Sequence, residues 1–113
     1  LNATIFGVDN DLSVLFASER IETGYADQSQ PKELRKLVIT VAPFDVIIDD
    51  GSHQAEHQVT AMRALLPLCS GLYIIEDADI KGGLLEQIAD LPYSYVLVKD
   101  QLKGHCVVIR GKY

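Results

Sequence analysis

The chain is 113 residues long, 48% hydrophobic, 23% charged and 7% aromatic, the make-up of one ordinary globular domain and too little chain for a catalytic domain with a separate substrate domain. Sixteen acidic residues against ten basic give a net charge of −6, the reverse of the electrostatic footprint that holds a phosphate backbone, so nucleic acid is not an expected partner. No apolar run approaches the ~18 residues of a membrane span, and the N-terminus lacks the basic, apolar, small-residue order of a signal peptide, so no membrane is expected and the cytoplasm is the expected location.

Thr4 to Val8 is a short apolar run that closes on Asp9. Leu12 to Ser18 has helical spacing, and Ala26-Asp27-Gln28-Ser29 follows another short apolar stretch. Pro31 to Val41 reads as a helix. Phe44 to Ile48 reads as a strand that stops at Asp49 and Asp50, turns on Gly51 and enters a helix from His53 to Leu66 with Ser52 as its expected N-cap. Within that helix Ala55, Val59, Met62 and Leu66 recur at intervals of four, three and four, which puts them on one face. Leu72 to Ile75 is a further apolar run, closing on Glu76 and Asp77, and Gly82 to Ala89 has helical spacing again. Tyr93 to Lys99 and His105 to Arg110, separated by a polar turn with Gly104, predict an antiparallel pair.

Strands therefore alternate with helices, and runs that are apolar throughout predict strands covered on both faces, the habit of parallel sheets. The expected fold is α/β, with residues 1–113 forming a single domain around an open, mostly parallel Rossmann-like sheet that ends in the antiparallel pair. Cys69 and Cys106 lie in apolar surroundings without metal-ligand spacing, and read as buried free thiols.

Ligands of such sheets bind beyond the carboxyl ends of the strands, which is where the acids sit. If the strand before Asp49-Asp50 neighbours the strand before Glu76-Asp77, several carboxylates converge and repel one another. A hard divalent cation relieves that repulsion, because Mg²⁺ takes a few carboxylate oxygens and keeps positions for water or substrate. His53, three residues after Asp50, has an ordinary pKa near neutrality and fits a general base. His57 lies four residues further on, but the segment lacks the Glu directly after the first His that a zinc-peptidase helix needs. Asp9, an acid at a strand end, has the place of a ribose-hydroxyl acceptor, although no Gly-rich turn precedes it here. A phosphoacceptor receiver domain also gathers an acidic pair, an Asp and a Lys such as Lys99 around Mg²⁺; its acidic pair ends the first strand, whereas Asp49 and Asp50 follow two strand and helix units.

Taken together, Phe44 to His53, His57-Gln58 and Gly71 to Asp77 resemble the class I S-adenosylmethionine-dependent methyltransferases, in particular the metal-dependent sugar O-methyltransferases of the macrocin and mycinamicin type. Ile5 to Asp9 resembles that family's second strand, and Ala26-Asp27-Gln28-Ser29 its Gly-Asp-Gln-Ser segment, with Ala26 in place of Gly. The resemblance implies that Asp50, Glu76 and Asp77 bind Mg²⁺ or Mn²⁺ and that His53 takes the proton of a hydroxyl on a small-molecule acceptor such as a sugar. It also implies that Asp9, Asp27, Gln28 and Asp49 contact S-adenosylmethionine.

Members of the family carry a first strand, a Gly-rich loop and a helix before the strand that opens this chain, which begins with Leu1. The expectation is therefore an N-terminally truncated methyltransferase domain, inactive alone, with a non-catalytic binding or assembly module as the alternative. The absent strand would lie between those like Thr4 to Val8 and Phe44 to Ile48. Either these two pair directly, or their free apolar edges draw in a second chain; a homodimer is expected.

Overall fold

The computed structural model describes residues 3–99 and 104–111. In chain order they form β1 (Ile5–Asp9), β2 (Ile21–Tyr25), α1 (Pro31–Val38), β3 (Phe44–Asp49), α2 (Ala55–Leu65), β4 (Cys69–Ile75), α3 (Leu84–Ile88), β5 (Tyr95–Lys99) and β6 (His105–Arg110). The α/β class is as expected. The strands fall into two sheets: β1 beside β2, parallel, and β3-β4-β6-β5, with β3 and β4 parallel and the other pairs antiparallel. The expected terminal pair is β5 with β6, Tyr95 opposite Ile109 and Lys99 opposite His105; the turn expected between them falls largely on residues 100–103, outside the described residues. β1 and β3 share no ladder, so they do not pair directly. Instead Phe6 and Val8 of β1 and Val46 and Ile47 of β3 line one cavity of about 820 Å³.

The helices form where local sequence and burial agree. α1 has Pro31 in its first turn, Glu33 beside it, and Arg35 and Lys36 in the last turn, so φ is preset and the charges complement the helix dipole. Its Leu34 and Val38, one turn apart, are buried. α2 buries Ala55, Gln58, Val59, Ala61, Met62 and Leu65, a stripe at successive intervals of three, one, two, one and three. The expected start of this helix needs correction. Ser52 is not its N-cap: the helix begins at Ala55, whose N–H donates to the Asp79 carboxylate at 2.9 Å, while the Ser52 hydroxyl accepts from the N–H of Gln54, which precedes the helix, at 3.3 Å. Leu12 to Ser18 is not an α-helix either. The Asp11 carboxylate bonds the N–H and hydroxyl of Ser13 and closes a single 3-10 turn at Leu12–Val14. Leu12 and Val14 in this turn and Phe16 after it all stay at least half exposed, so no buried stripe rewards a longer helix.

The core lies between α2 and one face of the larger sheet, where Tyr73, Ile75, Val107, Ile109, Met62 and Leu84 are fully buried, each aliphatic side chain contributing about 1.5–3 kcal/mol. The alternate positions tell a different story. Val46, Ile48, Leu72, Val96 and Val98 are 42–61% exposed, so the expectation of strands covered on both faces holds for one face only. The reason is that α1 and α3 both pack on α2 and leave the other face bare among the described residues. Gly71 fits a tight place in this sheet: beside the register irregularity between Phe44 and Val46, a Cβ at Gly71 would meet the Asp45 carbonyl oxygen at 2.1 Å. Among the described residues no helix is long and apolar enough to cross a membrane, and Cys69, buried, and Cys106, half-buried, are both free thiols raised in pKa chiefly by burial.

Candidate active site

Parallel pairing of β3 with β4 sets Asp49 opposite Ile75, and the Glu76 N–H continues the ladder to the Asp49 carbonyl at 2.8 Å. The two acidic strand ends are therefore adjacent, as the argument from convergence requires. The pleat then separates the neighbours Asp49 and Asp50. Asp49 points inward and is 8% exposed, whereas Asp50 is exposed.

Asp49 is occupied by the protein itself. Gln28 Nε2 donates to both its carboxylate oxygens, at 2.7 and 2.6 Å, and Gly51 N–H donates at 3.2 Å. The other end of the same amide, Gln28 Oε1, accepts from Ser52 N–H at 2.6 Å, so one side chain ties the loop after β2 to the loop after β3. Burial pushes the Asp49 carboxyl above the usual range, the bonds from Gly51 and Gln28 pull it back, and the charge of Asp50 raises it further. Gly51 is needed for this tie, since a Cβ there would sit 2.5 Å from Gln28 Oε1.

On the outer side, Asp50, His53 and Asp77 each offer a ligand atom, and these atoms lie within 4.8 Å of one another. His53 Nε2 is 3.4 Å from Asp77 Oδ2. An ion held about 2.1 Å from each ligand spans donors up to about 4.2 Å apart, so small rotations of exposed side chains suit this set to a hard cation. Asp77 has a left-handed backbone, φ 47°, a conformation aspartate tolerates better than most residues. Glu76, expected as the third carboxylate, is exposed and stands outside this group; its charge acts instead on Cys106, as a lesser cause beside burial. His57 also stands outside it, with Nδ1 at 2.9 Å from the Ser52 hydroxyl.

The residues expected to meet the methyl donor, Asp9, Asp27, Gln28 and Asp49, all line the cavity between β1 and β3. Two of them also close their own loops. Asp9 accepts from Asp11 N–H at 2.9 Å, and Asp27 from the hydroxyl and N–H of Ser29 at 2.7 and 2.8 Å. The Ser29 bonds hold the Asp27 carboxyl below the usual range. Sequence reasoning gave no role to two further residues, Gln58 and Asp79. Gln58, 1% exposed, bonds the backbone of both acidic loops, and Asp79 caps α2 from 24 residues away. A polar Gln at an inward position of α2 was the available signal for the first; a contact so distant in sequence leaves none for the second.

No family model matches the chain. Over 75 residues, 65% of the chain, it is 43% identical to the 8-demethyl-8-alpha-L-rhamnosyl tetracenomycin-C 2'-O-methyltransferase of Streptomyces olivaceus and to the demethylmacrocin O-methyltransferase of Streptomyces fradiae. Over 60 residues it is 43% identical to the mycinamicin VI 2''-O-methyltransferase of Micromonospora griseorubida. The matched segment makes up 20%, 19% and 15% of these three relatives, so the match spans a fifth or less of their length. Among solved structures, the MycE methyltransferase from the mycinamycin biosynthetic pathway, in complex with Mg and SAH, superposes with a TM-score of 0.73 at 28% identity, covering 96% of this chain and 36% of MycE. A second MycE structure, with Mg, SAH and mycinamycin VI, gives a TM-score of 0.71 at 27% identity. In sequence and in fold, the chain resembles a segment of the macrocin- and mycinamicin-type sugar O-methyltransferases.

Proposed function

We propose that the chain is the metal- and acceptor-handling part of an S-adenosylmethionine-dependent O-methyltransferase whose acceptor is a sugar hydroxyl on a small molecule. The observation that carries this reading is the meeting of Asp50, His53 and Asp77 at the ends of two adjacent parallel strands, in a chain that superposes on MycE over 96% of its length. Asp50 and Asp77 are the carboxylates that would hold Mg²⁺ or Mn²⁺, with Glu76, next along the same loop, as the further carboxylate that the resemblance assigns. When bound, the cation acidifies a coordinated hydroxyl and S-adenosylmethionine supplies the methyl group.

The chain's own part is orientation and proton transfer. Asp77 Oδ2, 3.4 Å from His53 Nε2, steadies an exposed imidazole where it can receive the hydroxyl proton. Asp9, Asp27, Gln28 and Asp49, around the cavity of about 820 Å³, form the side on which the methyl donor would lie. Calorimetric titration tests the whole reading: S-adenosylmethionine should bind more tightly with Mg²⁺ present, and no heat at millimolar concentrations of both would overturn it.

The proposal includes self-association as a homodimer. Ile5 on β1 and Val46 and Ile48 on β3 are 50–60% exposed, and among the described residues each strand is paired along one edge only. A second copy covering these edges would bury apolar surface and satisfy backbone groups at once. Light scattering across a dilution series should report a dimer mass; a monomer at every concentration excludes the dimer and leaves the active-site reading intact.

A further inference from the structure

We propose that Gln58 is the positioning residue of the metal site, holding the loop after β4 against the loop after β3 so that Asp77 is presented to Asp50 and His53. The inference rests on the metal-dependent reading above. Gln58 is 1% exposed on α2. Its Nε2 donates to the carbonyl oxygens of Ser52 and Asp77, at 3.2 and 3.0 Å, and its Oε1 accepts from Asp79 N–H at 2.9 Å. Both amide hydrogens and one oxygen lone pair are thus spent on backbone groups of the two loops that carry the candidate ligands.

Packing alone does not account for this residue. An apolar side chain of similar length would fill the same place without the cost of desolvating an amide, so what the amide adds is the set of three directed bonds. They act where the backbone most needs support. Asp77 is fixed on one side by the ladder bond of Glu76 N–H to Asp49, and its own φ of 47° lies in a sparsely populated region. The carbonyl of Asp77 and the N–H of Asp79 are the groups that define the path out of that conformation, and Gln58 binds both. Asp79 completes the support: its carboxylate accepts from Ala55 N–H, the first residue of α2, and from Gly82 N–H, both at 2.9 Å. Helix α2 and the loop bearing Asp77 are therefore held as one unit. Groups that orient metal ligands from behind in this way commonly contribute 10- to 100-fold in metal affinity.

The test titrates the chain with Mn²⁺ and follows the free ion by electron paramagnetic resonance. Wild type should bind, and Gln58→Met, matched in length but unable to make the three bonds, should bind about 10- to 100-fold more weakly while its circular dichroism stays that of a folded chain. Absence of Mn²⁺ binding by the wild type would overturn the metal reading and this inference with it. Binding by wild type and Gln58→Met within twofold of each other would overturn the inference alone. Should Gln58→Met not fold, the wild type still decides the matter, because coupling between sites is reciprocal. Hydrogen exchange of the Gln58 side-chain amide, read by NMR, should slow at least tenfold on saturation with Mg²⁺; an unchanged rate, in a chain that binds the ion, means that Gln58 supports the fold and does not position the site.

Discussion

The acids at the ends of β1 and β2 and those at the ends of β3 and β4 look alike in the sequence and are put to different uses. Asp9 and Asp27 each bond a backbone N–H two residues ahead, and Asp27 takes the Ser29 hydroxyl as well. The Asp50 carboxylate has no hydrogen-bond partner among the described residues, and the Asp77 carboxylate has only the exposed contact with His53 at 3.4 Å. A carboxylate that closes a turn has satisfied part of its hydrogen-bonding capacity within the chain, whereas one held open beside another retains it for a ligand. Asp49 marks the boundary between the two regions, since it leaves the same strand as Asp50 yet is bound by Gln28 from the β2 side.

The two regions should differ most in their response to a metal. At a hundredfold excess over Kd, a divalent cation bound only by the folded chain stabilises it by about 2.7 kcal/mol, on the order of 10 °C in Tm for a domain of this size. Asp50→Asn should abolish that rise in Mg²⁺ or Mn²⁺ and leave the metal-free Tm nearly unchanged, because the side chain is exposed. Asp27→Asn should keep the metal response. Equal loss in both variants would show that the two regions do not differ in the way their hydrogen bonds suggest.

Next in size is the tie between the regions. Gln28→Ala leaves the Asp49 carboxylate, 8% exposed, without two of its three hydrogen bonds and frees the Ser52 N–H. Loss of hydrogen bonds to a buried charged group costs about 2–3 kcal/mol, which urea unfolding would register as a lower midpoint at unchanged slope. A midpoint equal to wild type would mean that water replaces Gln28 without penalty. A smaller effect separates the carboxylates of the β4 end. Because Glu76 stands outside the group formed by Asp50, His53 and Asp77, Glu76→Gln should weaken Mn²⁺ binding by less than Asp50→Asn does; an equal loss would give Glu76 as large a share in the site as Asp50.

Much of this was legible in the residues. Apolar runs ending in acid gave β1, β3 and β4, and the periodicity of residues 55–66 gave α2. The convergence of Asp50 with Asp77 followed once β3 and β4 were taken as neighbours. What the pattern could not show was which acids are already bonded, because Asp49 and Asp50 differ only by the pleat and by a partner 21 residues away. One clue was available: Asp11-x-Ser13 and Asp27-x-Ser29 have the spacing of side chains that bond two residues ahead. That spacing also explains why Leu12 to Ser18 stops after one turn. The open face of the larger sheet, from Ile48 across to Val96, was read as covered because apolar runs announce burial without saying what supplies it.

The smallest effect tests the turn-closing region by pH. Hydrogen bonds from Ser29, side chain first and then backbone, hold the Asp27 carboxyl below its ordinary value of 3.8, with a further minor contribution from the charge of His57. A carboxyl whose pKa is lower folded than unfolded contributes stability above the unfolded value, and the contribution fades as pH falls through the folded value. Ser29→Ala removes the largest cause and keeps the backbone bond. Melting curves of wild type and Ser29→Ala should therefore differ slightly at pH 6 and converge as pH falls below the ordinary value of 3.8 and through the folded one. The gap should be small, since Asp27 is only partly buried and solvent screens its interactions. A gap that stayed constant from pH 6 to pH 2 would mean that Ser29 acts on the turn without involving the Asp27 charge, and the carboxylates of this region would then be as uncommitted as those at the ends of β3 and β4.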